Sequence, residues 1–352
     1  MNRRSRRSHA PRTPVAVLGA TGVVGQRLVA LLDGHPTLRL EEIVAGPTRT
    51  GDLYEDVVPW VLPESIPDRV ARMSLLDPEQ IPDSPVVLSA LPSEVAEHRE
   101  PELAGAGRIV CTNAASHRLD PDVPLVIPEV NPSDVLRGRR DRGSSGGMLV
   151  ANPNCVVSGL ALALAPIDRV FGIRHATVAT LQAISGAGVG GVSAMRIAGN
   201  VIPWIPGEEE KIGPELNRIL GSDFDVATAV TRVPVVDGHT AHVFLTLDSP
   251  AVPSEVERVL GAFRADPLAA GLHSLPDRPL QIHAAPDRPQ PRMDAGLGGG
   301  MVVSVGRIRA APPHCLALTI VVHNGIRGAA GGCLANAELC LATGSGGTLA
   351  DP

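Results

Sequence analysis

The sequence has almost no lysine. Lysine and arginine together number 31 in 352 residues, yet Lys211 is the only lysine. Chance is one explanation; the other is a site that needs a compact ammonium where a planar guanidinium will not serve. Long apolar runs are missing too. No stretch of roughly 18 uninterrupted apolar residues occurs, so no membrane-spanning helix is expected. The five cysteines are odd in number and none stands in a CxxC pair. That argues against a disulfide framework and a zinc site, and for a reducing compartment, the cytoplasm. A net charge of −6 gives no reason to expect nucleic acid as a partner. The basic run Arg3-Arg4-Ser5-Arg6-Arg7 lacks the apolar segment of a signal peptide. Residues 1–13 therefore read as a solvated, disordered tail.

What is present is a large globular chain. A hydrophobic content of 44% over 352 residues supports a substantial core and two domains. Pro14 to Leu18 reads as a buried strand running into Gly19-Ala20-Thr21-Gly22-Val23-Val24-Gly25, with a helical pattern from Gln26 to Leu32. Strand, glycine turn and helix together make a dinucleotide-binding arrangement, in which loop amides and a helix N-terminus face a pyrophosphate. Gly19, Thr21, Gly22, Val23 and Val24 are the cofactor candidates there. The next strand, Leu38 to Ala45, ends in Gly46-Pro47-Thr48-Arg49-Thr50-Gly51. An acidic residue at that strand end would suit the ribose 2′-hydroxyl of NAD. Arg49 and small polar residues stand there instead and suit a 2′-phosphate, so NADP is expected, with NAD left possible by nearby Asp52. Strands at 85–91 and 108–112 flank a helical stretch from Glu94 to Ala104 and continue the βαβ alternation; Cys111 reads as core. Arg137 to Gly147 reads as a surface loop.

Asn152-Pro153-Asn154-Cys155 then follows a strand-like run and precedes an apolar helix, Leu160 to Ile167. Asparagine and proline are helix-start residues, which places Cys155 in or near a first turn. The helix dipole there favours a thiolate, so Cys155 is a candidate nucleophile as well as a candidate buried hydrophobe. Beyond it the pattern changes to longer strands at 177–183, 227–236, 241–247, 301–308 and 316–323, with a glycine-rich loop at 185–188 and a small-residue helix at 328–341. The fold class expected is α/β: a Rossmann-like NADP-binding domain plus an α+β catalytic and dimerisation domain. Residues 14–154 form the first, completed by a C-terminal helix at 327–345, and residues 155–326 form the second. A nucleotide fold with a helix-start thiol suggests a thioacyl intermediate reducible by hydride, with His239, Arg232 and the Glu208-Glu209-Glu210-Lys211 cluster as partners.

These motifs resemble aspartate-semialdehyde dehydrogenase, in its archaeal and fungal branch. The resemblance runs from Val15 to about Leu341. It is carried by Gly19 to Gln26, Ser89-Ala90-Leu91-Pro92-Ser93, Ser116-His117-Arg118, Pro128-Glu129-Val130-Asn131, Asn152 to Cys155, Gln182 to Gly188, Asp287 to Arg292 and Arg327 to Gly331. It implies Cys155 as nucleophile, Gln182 orienting the acyl group and His239 as general acid/base. It further implies Arg232 on the substrate carboxylate and Glu208 on its ammonium, with Lys211, Arg118 and Asn154 around the phosphate. Ser185, Gly186 and Asn324 would meet the cofactor. The implied reaction is NADPH-dependent reductive dephosphorylation of L-4-aspartyl phosphate, a step toward lysine, threonine and methionine, in a homodimer or homotetramer. The chain departs from the family at Gly51-Asp52-Leu53, where lysine is frequent, and at Asn324-Gly325-Ile326-Arg327, which differs from Asn-Leu-Arg by one inserted or substituted residue. Three other readings are a malonyl-CoA reductase-like or acetylglutamyl-phosphate reductase-like enzyme, a specialised-pathway paralogue, and a non-catalytic nucleotide binder.

Overall fold

The computed structural model describes residues 11–141, 146–311 and 315–344. Most of the basic tail lies outside them. Five strands, β1 (Thr13–Leu18), β2 (Leu38–Val44), β3 (Val86–Ser89), β4 (Ile109–Thr112) and β5 (Met148–Ala151), form one sheet in the order β2-β1-β3-β4-β5. All four pairings are parallel. Strands buried on both faces read as continuous apolar runs, as Val86-Val87-Leu88 and Val15 to Leu18 do. The crossovers use helices α1 (Val23–Leu32) and α2 (Ser93–Gly105). A third helix, α3 (Ser133–Asp141), corrects the surface-loop reading that began at Arg137. Arginine and glycine from Arg137 onward hid the helix, whose inner side is marked by Val135, buried in the core, and whose outer side is marked by exposed Arg137. Residues 142–145 of that stretch fall outside the described residues.

Helix α4 (Cys155–Phe171) is apolar nearly all round, and Val156, Val157 and every residue from Leu160 to Ile167 are buried. Such a helix belongs at the centre of a protein. It packs against strands of the second sheet and against helices α5 (Glu209–Leu220) and α6 (Pro253–Ala262). That sheet contains β6 (Ile173–Gln182), β7 (Asp225–Arg232), β8 (His239–Leu247), β9 (Leu280–His283), β10 (Val303–Ala311) and β11 (Cys315–Val322). Its order is β7-β6-β8-β11-β10-β9, with β6/β7 and β9/β10 parallel and the other pairs antiparallel. One face packs on α4. The other leaves Leu181 and Phe244 each 38% exposed.

A π-helical turn, Ile326–Ala330, leads into the last helix, α7 (Gly331–Gly344), which returns to pack on β3 and β4. Arg327 in this turn donates to both carboxylate oxygens of Glu129, and both side chains are buried. Two motifs 198 residues apart thus close one ion pair. Among the described residues no helix is long and apolar enough to cross a membrane.

Candidate active site

Helix α4 begins at the cysteine. Asn154 is its N-cap, and Asn154 Oδ1 accepts the Val156 N–H at 3.0 Å. The returning turn presses on the same point: a Cβ at Gly328 would lie 2.8 Å from Cys155 Cβ and 2.7 Å from its carbonyl oxygen. Only glycine leaves room for the cysteine where it stands.

His239, the first residue of β8, is fully buried, with Nε2 3.1 Å from Cys155 Sγ. Its other ring nitrogen, Nδ1, accepts the Ala183 N–H at 3.0 Å. A nitrogen that accepts holds no proton, so the neutral ring carries its hydrogen on Nε2, facing sulfur. Burial first, and then the Arg232 guanidinium, push the imidazole down to about 3. The thiol moves the other way. Burial and then the Glu208 carboxylate push Cys155 up to about 12, against Arg118 and Arg232. The helix start alone was expected to favour a thiolate. Around the sulfur desolvation opposes the dipole and raises the thiol above its ordinary range.

Gln182 and Arg232 end neighbouring strands and are paired in register. Gln182 is 1% exposed and its Nε2 has no hydrogen-bond partner, a buried donor left for something else to meet. Arg232 Nη1 donates to the Ala183 carbonyl at 2.7 Å. Gly186 lies over both groups, since a Cβ there would come within 3.0 Å of Arg232 Nη1 and 3.3 Å of His239 Cε1.

Glu208 caps α5 and faces the cysteine end of α4. Its Oε2 accepts Asn154 Nδ2 at 2.8 Å, and its Oε1 meets Lys211 Nζ at 3.3 Å. Glu209 instead accepts the Val230 N–H at 3.0 Å, and Glu210 is exposed. Of the three neighbouring glutamates, Glu208 is the one brought to the site. Arg118 is buried beneath it, donating from Nε to the Asn152 carbonyl at 3.0 Å and from Nη2 to the Asn113 carbonyl at 2.8 Å. Its Nη1 meets Glu215 Oε1 at 3.1 Å, and Glu215 is a residue the sequence reading missed. Its spacing of seven from Glu208 on one helix was the available signal.

The nucleotide loop lies across a cleft from these groups. Helix α1 starts at Val23 after Gly22, so its first amides are free of intrahelical partners. Gly25 packs so closely on the loop that a side chain would overlap the Gly19 carbonyl. Tyr54 Oη donates to the Ala20 carbonyl at 2.8 Å and braces the turn holding Thr21 and Val24. Arg49 is exposed in the short turn Pro47–Arg49 after β2. On the far side Asn324 Nδ2 donates to Ser185 Oγ at 2.8 Å, and Ser185 Oγ donates to Asp237 Oδ1 at 2.8 Å. Arg27 of α1 reaches over to the same Asp237 oxygen at 2.8 Å. A cavity of about 480 Å³ lies between, bounded by Val23, Arg27, Ile184, Ser185, Asp237 and His323. Sequence reading places Arg27, Asp237 and His323 in a helix, a turn and a strand but assigns them no role in a site; their proximity depends on how the two sheets face each other. Burial and then Arg27 push His323 down to about 4.

The glycine loop fits a dinucleotide by its free helix-start amides and by the close packing of Gly25. Comparison with known families agrees. Residues 14–137 match the model of the semialdehyde dehydrogenase NAD binding domain, and residues 164–327 match that of the semialdehyde dehydrogenase dimerisation domain. The aspartate-semialdehyde dehydrogenase of Methanothermobacter thermautotrophicus is 43% identical over 92% of this chain and 98% of its own length. That of Cryptococcus neoformans is 40% identical over 96% and 99%. The crystal structure of aspartate semialdehyde dehydrogenase with NADP from Candida albicans superposes with a TM-score of 0.87 at 34% identity, covering 95% of this chain and 99% of that one. The chain belongs to the aspartate-semialdehyde dehydrogenase family, alongside its archaeal and fungal members.

Proposed function

We propose that the protein reduces L-4-aspartyl phosphate to L-aspartate 4-semialdehyde with release of inorganic phosphate, using NADPH, through a thioester on Cys155. The observation that carries this reading is the helix-start thiol 3.1 Å from a buried histidine, with Glu208 and Arg232 close enough to shape its charge.

Cys155 sulfur attacks the acyl carbon, its thiol proton passes to His239 Nε2 in the tautomer that carries its hydrogen on Nδ1, and the acyl carbon–oxygen bond breaks to release inorganic phosphate. Gln182 Nε2, buried and unpartnered, is the donor for the acyl oxygen. Arg232 holds the α-carboxylate with its planar fork and Glu208 holds the α-ammonium. Lys211, Arg118 and Asn154 surround the leaving phosphate, and the ammonium of the sole lysine lies beside Glu208 at the pocket mouth. His239 is the general acid/base. Its Nε2–H donates to sulfur and favours the thiolate form that arrives and departs in the two half-reactions. Taking a proton at Nε2 requires the opposite tautomer, which gives up the Ala183 bond.

The amides of Thr21, Val23 and Val24 would hold the cofactor's pyrophosphate beside Gly19 and Gly22. Arg49 would hold the 2′-phosphate, and Ser185, Gly186 and Asn324 the nicotinamide end. When bound, the cofactor supplies the hydride that converts the thioester to a thiohemiacetal, from which sulfur leaves. A homodimer would form through the exposed sheet face of Leu181 and Phe244, within the segment that matches a dimerisation domain. The protein would act as a soluble biosynthetic enzyme.

The test is phosphate-dependent oxidation of the semialdehyde, with NADP and NAD compared. Turnover that requires phosphate and prefers NADP is expected, with little reduction of malonyl-CoA. No turnover with either cofactor would refute the reading.

A further inference from the structure

Helix α5 carries one charged stripe. Glu208, Lys211, Glu215 and Arg218 follow at spacings of three, four and three, which puts them on a single face. That face meets the start of α4 and the loop that bears Arg118. Glu208 meets the Asn154 side chain, while Glu215, 2% exposed, meets its backbone: the Asn154 N–H donates to Glu215 Oε2 at 2.6 Å. The other oxygen, Oε1, accepts Arg118 Nη1 at 3.1 Å. Arg218 completes the clasp from the last turn, donating to the Arg118 carbonyl at 2.7 Å and to the Asp120 carbonyl at 2.7 Å.

Both oxygens of Glu215 thus face N–H donors, one charged and one next to the nucleophile in sequence. Burial raises the Glu215 carboxyl above its ordinary range, while the Arg118 guanidinium and the Asn154 amide pull it back. The arrangement also limits Arg118. Its Nε and Nη2 are tied to the carbonyls of Asn152 and Asn113, and Glu215 fixes the plane of its remaining nitrogen. A guanidinium so tethered offers a substrate anion one orientation.

We propose that Glu215 is the positioning residue of the phosphate subsite, locking Arg118 and the Asn154 amide into one arrangement at the start of the cysteine helix. The inference rests on the proposed function, because it presumes that Arg118 and Asn154 meet phosphate. Glutamine at 215 has a single acceptor oxygen. It can satisfy the Asn154 amide or Arg118, and its amide hydrogens then confront the other.

The experiment uses the full chain and inorganic phosphate as the varied ligand in semialdehyde oxidation. Glu215→Gln is expected to raise the phosphate KM about tenfold, equivalent to ~1.4 kcal/mol. The KM for semialdehyde should move far less. Arg118→Ala should raise the phosphate KM as well. Adding Glu215→Gln to Arg118→Ala should then change it by no more than about twofold, the signature of one residue acting through another. A merely structural role would shift all constants together in both backgrounds. If Glu215→Gln does not fold, Glu215→Asp, which keeps the charge and shortens the reach, serves in the same comparison. Wild-type turnover that needs phosphate, with a phosphate KM unmoved by either substitution, overturns the role of Glu215. So does an equal rise in the Arg118→Ala background. Wild type without phosphate-dependent turnover overturns the proposed function instead.

Discussion

Cys155 Sγ and His239 Nε2 lie 3.1 Å apart, and the Ala183 amide on Nδ1 determines which of the two carries the hydrogen between them. The ring reaches the sulfur as a donor. Replacing it with alanine removes that donor and should lower kcat by about 10²- to 10⁴-fold, the usual range for a positioned acid–base group. Glutamine can place an N–H near the position of Nε2, so His239→Gln should retain more activity than His239→Ala. Steady-state kinetics of the two variants checks the ordering.

The same burial makes the fold sensitive to acid. His239 is pushed down to about 3 and His323 to about 4, while an unfolded chain binds a proton on histidine near pH ~6.5. Below that pH the unfolded state holds more protons than the folded one. The stability from burying two neutral rings is therefore complete above about pH 6.5 and lost as pH falls toward the folded values. Thermal melts between pH 7 and pH 4 (approximate bounds of this window) should show a falling midpoint. His239→Gln, with one ring fewer to charge, should fall less steeply.

Gly328 permits the cysteine's position. An alanine there would meet backbone atoms of Cys155, which cannot swing aside as a flexible side chain can. The helix start must shift, and a displacement of about 1 Å at a reacting group costs on the order of 100-fold in rate. Gly328→Ala should lose activity on that scale. Cofactor binding at the glycine loop, read by fluorescence titration, should change far less than turnover.

Arg232→Lys keeps a positive charge but lacks the planar fork, and the Ala183 carbonyl loses its partner. With charge-assisted hydrogen bonds worth about 1.5–3 kcal/mol, the KM for semialdehyde should rise roughly tenfold to a hundredfold.

Much of this site was legible in the chain because it is built from local backbone signals. A strand, a glycine turn and a helix start announce the nucleotide loop, and Asn-Pro-Asn before an apolar run announces the capped helix of Cys155. Other parts had no local signature. Arg27 and Asp237 meet across 210 residues and Arg118 and Glu215 across 97, so their pairing exists only once both sheets and α5 are in place. The state of the thiol was hidden for a related reason. A helix start argues for a thiolate, but the opposing desolvation is set by residues from several elements packing over the sulfur. The stretch after Arg137 misled because arginine and glycine look like loop, while Val135 and neighbouring contacts make one buried stripe of α3.

The central claim is that Cys155 carries the acyl group. Incubating enzyme with semialdehyde and NADP in the absence of phosphate should give a burst of one NADPH per active site, after which turnover stalls. Intact and peptide mass spectrometry of the acid-quenched protein should then find one aspartyl group, as a thioester on Cys155, that is released when phosphate is added. Cys155→Ala should bind NADP and show neither burst nor adduct. A burst of equal size in Cys155→Ala, or an acyl group on any residue other than Cys155, would contradict the account.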